Sequence, residues 1–220
     1  MRLAIDVVSD VVCPWCFIGK RHLDRALALW RAEQPESEVS ISWQPYFLNP
    51  DTPEAGEPYR PFLERKFGGP KQLEELWQRV REAGKPAGIA FAFEKIELRA
   101  NTLKAHRLIH RAQKVGAGGT ATGDLIEALF AAQFLDGRHL GDPAVLADVA
   151  ATCGMDRDGV MRYLESTEDA EAVVARANEA RHKGISGVPF FIFNNRLAAS
   201  GAQAPDALLK AMREAAAAAA

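Results

Sequence analysis

No stretch of this chain supplies the roughly 20 consecutive apolar residues a helix needs to cross a bilayer. The longest candidate, Leu125 to Leu135, is broken by Glu127 and Gln133. An export signal is equally hard to find. The opening Met1-Arg2-Leu3-Ala4-Ile5-Asp6 places a carboxylate where a signal peptide needs an apolar core of roughly 7–15 residues. A cytoplasmic location without membrane association is therefore the expectation. Charge of one sign is also lacking: the formal net charge is −2, which gives no general attraction to nucleic acid or anionic membranes and argues against a nucleic-acid partner. Cysteine is scarce, with only Cys13, Cys16 and Cys153. An odd count without a signal argues against a disulfide-stapled secreted scaffold. In a reducing compartment a close pair reads as catalytic or metal-binding.

What remains is ordinary globular material, 48% hydrophobic and 25% charged. Its 220 residues are long for one minimal domain and short for two, since single domains usually span about 100–200 residues. One domain carrying a large insertion fits best. Leu3 to Val8 reads as a buried strand, Phe17 to Trp30 as an amphipathic helix, and Val39 to Trp43 as a half-buried alternating strand. The middle shows only helical periodicity, over Tyr59 to Phe67, Lys71 to Ala83, Thr102 to Val115, Asp124 to Leu135, Pro143 to Cys153 and Arg157 to Leu164. A helix from Glu168 to Lys183 follows, with Ser166 and Asp169 resembling a capping box. Val188 to Phe193 is an apolar strand, Asn194-Asn195 a hairpin turn, Arg196 to Ser200 an edge strand, and Pro205 to Ala215 a closing helix. Without the helical block the order is β-α-β-α-β-β-α. The expected fold is α/β, a thioredoxin fold built from residues 1–54 and 166–220 and interrupted by an all-helical insertion at 55–165.

This order places Cys13-Pro14-Trp15-Cys16 between the first strand and the first helix. Disulfide exchange needs a thiolate, whereas a free cysteine ionises near about 8.5. A helix N-terminus offers unpaired N–H groups and the positive end of the macrodipole. In such motifs the leading thiol falls to roughly 3.5–7, and the second, one turn inward, is placed to resolve a mixed disulfide. Neither Pro14 nor Trp15 is charged. A reduction potential between about −120 and about −270 mV is therefore expected. The competing reading, a zinc half-site, lacks the second paired cluster that structural zinc uses. Further along, Gly187-Val188-Pro189 puts a proline at the entry to a buried strand, where it cannot donate to the ladder. A cis Val188–Pro189 bond accounts for this and presents the Val188 backbone as a short pairing edge for substrate.

Three segments together carry a resemblance: Val11 to Cys16 with Ile18-Gly19-Lys20, Asn101-Thr102 with Ala105-His106-Arg107-Leu108, and Gly184 to Phe191. In this order they resemble the cytosolic DsbA-like, FrnE-type oxidoreductases, over essentially the whole chain and including the helical insertion. The resemblance implies a Cys13 nucleophile, a Cys16 resolver and a cis Pro189 facing them, with Pro14, Trp15 and Val188 against the substrate. The same superfamily includes 2-hydroxychromene-2-carboxylate isomerases and kappa-class glutathione transferases, in which serine replaces the first cysteine. Keeping cysteine favours redox chemistry on protein or small-molecule thiols and disulfides, with no cofactor. Asn101 falls where those relatives place polar residues near glutathione, so glutathione is the candidate co-substrate and an isomerase or transferase the alternative. A third reading is a holdase-like module using the insertion as a groove. Monomer and homodimer are both compatible with the sequence.

Weaker features favour plain structural roles. Asn101 or Thr102 reads as a helix N-cap. His106 and His110, four apart, lack an obvious third metal ligand. Lys104, Arg107, Arg111 and Lys114 read as a solvated basic face, Cys153 as a small buried hydrophobe, and His139 as a loop residue. Asp6 and Asp10 are weak candidates for a buried proton acceptor serving Cys16.

Overall fold

The sheet is organised around β1 (Arg2–Ser9), where Leu3, Ile5 and Val7 are buried and the last three residues are buried on both faces. The computed structural model describes residues 2–115 and 119–218. β1 is a central strand in the order β2-β1-β5-β6, with β2 (Glu38–Pro45), β5 (Phe190–Phe193) and β6 (Leu197–Ser200). β2 runs parallel to β1 with Ile5 opposite Ile41, and a parallel pair requires a crossover, here α1 (Pro14–Glu33). β5 runs antiparallel to β1 with Val7 opposite Phe191, and β6 antiparallel to β5. Alternation along β5 buries Phe191 and Phe193 completely and leaves Phe190 and Ile192 half-buried. The hairpin turns at Asn194 and Asn195 with φ of 50° and 54°, a left-handed pair that matches the twist of the strands. Asn194 also receives the Ala4 N–H on its side-chain oxygen at 2.8 Å, tying the turn to β1. α9 (Pro205–Ala217) lies against α1, burying Leu208 and Met212.

Between β2 and the returning α8 (Ala170–His182) stand α2 (Tyr59–Phe67), α3 (Pro70–Gly84), α4 (Leu103–Lys114), α5 (Gly119–Phe134), α6 (Pro143–Thr152) and α7 (Arg157–Glu165). Asp142 caps α6 by accepting the Ala144 N–H, with Pro143 at the first helical position. A ring cluster knits this region to α1: Phe17 stacks on Phe130 at 5.2 Å, and Phe91 on Phe93 at 5.0 Å. The insertion also covers a sheet edge. The Gln113 side-chain amide accepts the Trp43 N–H at 2.7 Å and donates to the Trp43 carbonyl at 3.1 Å, standing in for a neighbouring strand.

Three expectations are corrected. The insertion is not wholly helical, because β3 (Glu57–Pro58) and β4 (Leu98–Arg99) form a two-residue antiparallel ladder. So short a pair leaves no alternation to read. The Ser166–Asp169 capping box does not form. Asp169 sits at φ 60°, its carboxylate engaging Lys114 and the Tyr163 hydroxyl, each at 3.1 Å, while Ser166 accepts the Glu168 N–H. The basic stripe of α4 is not solvated throughout: Lys114 is exposed, but Arg107 is 3% exposed and donates to the carbonyls of Tyr163, Leu164 and Glu168. Among the described residues no helix is long and apolar enough to cross a membrane.

Candidate active site

β1 ends at Ser9, and a tight turn follows in which the Cys13 N–H donates to the Asp10 carbonyl at 3.0 Å. Cys13 then takes the N-cap position of α1 in extended conformation, with Pro14 as the first helical residue. Its own carbonyl accepts the Cys16 N–H at 3.0 Å and the Phe17 N–H at 3.3 Å. The first turn of α1 contains no acidic residue, so no carboxylate competes with a sulfur anion for its N–H groups. Both thiols are free; Cys13 is 4% exposed and Cys16 1%.

The two sulfurs differ in environment. Burial pushes the Cys16 thiol well above its ordinary range, and the adjacent Cys13 adds to this by hydrogen bonding and by its charge. The Ser9 side chain and the Asp10 backbone, hydrogen-bonded to Cys16, oppose the shift without overcoming it. The Cys13 sulfur lies 3.6 Å from the Val188 carbonyl. The Val188–Pro189 peptide is cis. Gly19 permits this approach, because a Cβ there would stand 2.9 Å from Pro189 Cγ and 3.2 Å from Phe191 Cζ.

Beside Cys13 opens a cavity of about 360 Å³, walled by aromatic residues including Trp15, Tyr59, Trp77 and Phe93, and bordered by Pro14 and Val188. The Tyr59 hydroxyl is pushed upward by burial and by the nearby Cys13 charge. Arg99, Lys66 and Gln133 line the same space.

Of the residues singled out from sequence, Cys13, Cys16, Pro14, Trp15 and Val188 come together, with Pro189 against Gly19 just behind. Asn101 does not join them. Its amide donates to the Thr52 carbonyl at 2.8 Å and accepts the Leu103 N–H at 3.1 Å, and it lines a separate depression with Lys104 and Arg107. Asn101 thus stands apart from the dithiol cavity, its side chain engaged with backbone groups at the start of α4. His106 and His110 diverge, His106 toward Asp10 and His110 toward Asp169. Asp10 engages the Leu48 N–H and His106, and Asp6 accepts from Gln44, so both carboxylates have partners other than Cys16. Cys153 is half-buried at the end of α6. Sequence reasoning missed Ser9, Tyr59, Arg99 and Gln133. Only Gln133 left a trace, as a polar interruption of the apolar run in α5.

A β2-β1-β5-β6 sheet with a cysteine pair opening the helix after its central strand defines a thioredoxin-like fold. The chain belongs to the DSBA-like thioredoxin domain family, whose model matches residues 4–213. It is 24% identical over 216 residues to the uncharacterized protein YwbO of Bacillus subtilis, covering 97% of this chain and 98% of that one. A probable DsbA oxidoreductase from Streptomyces coelicolor superposes with a TM-score of 0.85 at 26% identity, over 98% of this chain and 90% of its own. The cytosolic disulfide reductase DsbM from Pseudomonas aeruginosa, solved with GSH, shares the fold at 15% identity, with a TM-score of 0.64 over 94% of this chain and 96% of its own.

Proposed function

We propose that this protein is a thiol–disulfide oxidoreductase working through Cys13 and Cys16 on protein or small-molecule substrates, with no bound cofactor. The observation that carries this reading is the asymmetry of the pair. Cys13 sits at the N-cap position of a helix and faces the cavity, while Cys16 is held neutral behind it by burial and by Cys13 itself.

The chemistry follows from that asymmetry. The Cys13 thiolate attacks a substrate disulfide, one substrate sulfur departs, and a mixed disulfide forms. Once Cys13 is bonded its negative charge is gone, which removes one of the influences that raise Cys16. Cys16 then loses its proton more readily and attacks the Cys13 sulfur, releasing the second substrate thiol. Ser9, within hydrogen-bonding reach of Cys16, stabilises the sulfur as charge develops on it. The half-buried Val188, at the cavity beside Cys13, holds the substrate backbone or its amide. Residues 1–54 and 166–220 supply the dithiol, and the 55–165 insertion supplies most of the opposite cavity wall. The similarity to a probable DsbA oxidoreductase supports the reaction class.

Insulin reduction and dithiol oxidation test this directly. Cys13→Ser is expected to abolish both, and activity surviving that change would overturn the assignment. Glutathione enters as a co-substrate, a reading favoured by the disulfide reductase of like fold solved with GSH. A glutathione-dependent isomerase or transferase would instead turn over without net redox change and tolerate loss of Cys16.

A further inference from the structure

The cavity beside Cys13 is chemically one-sided. Its walls are largely aromatic and aliphatic, and among the described residues the charged side chains lining it, Lys66 and Arg99, are both cationic. Arg99 is 4% exposed and stacks 3.7 Å over the Phe62 ring. Its Nη2 is bonded to Glu57, which is not a lining residue. Asp51 approaches Nη1 only to 4.0 Å, beyond hydrogen-bonding distance. The Arg99 Nε and Nη1 groups are consequently buried donors without acceptors. Opposite in character, the Gln133 side-chain oxygen is a buried acceptor without a donor, on a residue only 1% exposed. Lys66 stands at the cavity with its ammonium on the Asn49 oxygen at 2.8 Å, an exposed contact that is readily exchanged.

Buried polar groups are normally paired, and those that are not require an explanation. A buried guanidinium N–H left without an acceptor matches a carboxylate oxygen in a charge-assisted hydrogen bond, and the volume suits one small molecule, since ligand cavities span about 300–1,000 Å³. We propose that this cavity is the substrate subsite for a small, largely apolar disulfide bearing a carboxylate. Arg99 Nη1 donates to the carboxylate, with Lys66 supporting it. Gln133 accepts an N–H or O–H from the same molecule, and the aromatic walls cover its apolar body.

This deepens the proposed function and rests on Cys13 as nucleophile. In the reaction Cys13 attacks the near sulfur, the substrate S–S bond breaks, and the far arm leaves as a thiolate. Cys16 gives its proton to solvent and attacks Cys13, releasing the retained arm as a second thiol. Two electrons pass from the protein dithiol to the substrate, and the protein ends as the Cys13–Cys16 disulfide.

Two measurements on the full-length reduced protein test the proposal. In the first, 2-naphthoate and neutral 2-naphthamide are titrated while tryptophan fluorescence is followed, since Trp15 and Trp77 line the cavity. The carboxylate is expected to bind at least about tenfold more tightly, a difference of about 1.4 kcal/mol, and Arg99→Met and Lys66→Met are each expected to erode the preference. In the second, oxidation by 5,5′-dithiobis(2-nitrobenzoate) is compared with that by neutral 4,4′-dithiodipyridine, each normalised to the rate of a free small thiol. The carboxylate reagent is expected to be favoured about tenfold, and Lys66→Met is expected to lower that ratio. Equal binding of the two naphthyl probes, or a ratio indifferent to both substitutions, would overturn the subsite. Selective naphthoate binding with neither reagent consuming Cys13 would instead overturn the nucleophile assignment and, with it, the subsite's role in exchange.

Discussion

Asp10 and His106, 96 residues apart in sequence, meet with the Asp10 Oδ1 3.2 Å from the His106 Nε2, and neither side chain is more than 4% exposed. The other Asp10 oxygen accepts the Leu48 N–H at 2.9 Å, and the Asp10 backbone carbonyl accepts the Cys13 N–H. One residue thus joins the turn that presents Cys13, the segment after β2 that lines the cavity, and α4 of the insertion.

Removing that carboxylate leaves buried donors without an acceptor, and an unsatisfied buried group costs about 1–3 kcal/mol. Asp10→Ala is expected to lower the urea midpoint by a corresponding amount with an unchanged denaturant slope. Asp10→Asn, which keeps one acceptor, is expected to lose less. Equal stability of Asp10→Ala and wild type would show that the junction contributes nothing.

Gly19 makes a different kind of prediction, because its backbone is unremarkable and the constraint is space. Gly19→Ala drives a Cβ against Pro189 and Phe191, which are ring and backbone-anchored groups with little freedom. Overpacking of this kind costs about 1–3 kcal/mol. It also displaces the Val188 carbonyl from the Cys13 sulfur. Insulin reduction by Gly19→Ala is expected to fall several-fold, whereas Gly123→Ala, on α5 with open space around its Cβ position, leaves it unchanged. Wild-type turnover by Gly19→Ala would mean the Pro189 contact is dispensable.

The raised Cys16 thiol gives the reduced protein a pH signature. Its folded pKa lies above the ordinary value of 9.0, so the unfolded chain ionises first as pH rises. The unfolded state then binds fewer protons than the native state, and stability falls with increasing pH. The contribution is complete below about pH 8 and is lost progressively from about pH 9 upward. Melting of the reduced protein is expected to drop over this window more steeply than that of Cys16→Ala. Parallel curves for the two would contradict the burial argument.

Gln113 offers a fourth check, away from the chemistry. Its amide satisfies both backbone groups of Trp43 on the outer edge of β2. Gln113→Leu leaves those groups open, and the expected result is a loss of about 1–2 kcal/mol together with a greater tendency to associate through the bared edge. Gln113→Glu, which keeps the acceptor but loses the donor, is expected to fall between.

Much of this arrangement is legible from local signals. β1, the Cys13–Cys16 segment and the Asn194-Asn195 turn each carry their geometry in a few adjacent residues, through apolar runs, an N1 proline and left-handed asparagines. The helices of the insertion announce themselves by periodicity to within a few residues. What stayed hidden depends on partners far away in the chain. Arg107 looks like part of a solvated stripe until the end of α7 and the segment after it place three carbonyls over it. The two-residue ladder of β3 and β4 is too short to alternate. Arg99 and Gln133 become a pair of complementary orphans only when α5 and β4 border the same cavity, although the break that Gln133 makes in an apolar run was a visible clue. Asn101, read by resemblance as a ligand contact, is committed to the backbone of Thr52 and Leu103.

The decisive measurement is a trap. Cys16→Ser removes the resolving thiol, so a mixed disulfide formed at the surface of the cavity has no internal route to release. When this variant is incubated with 4,4′-dithiodipyridine and digested without reductant, peptide mass mapping is expected to find one stable thiopyridyl adduct on Cys13, with Cys153 essentially unmodified. An adduct mainly on Cys153, or none at all on Cys13, would contradict a redox role for the cysteine at the head of α1.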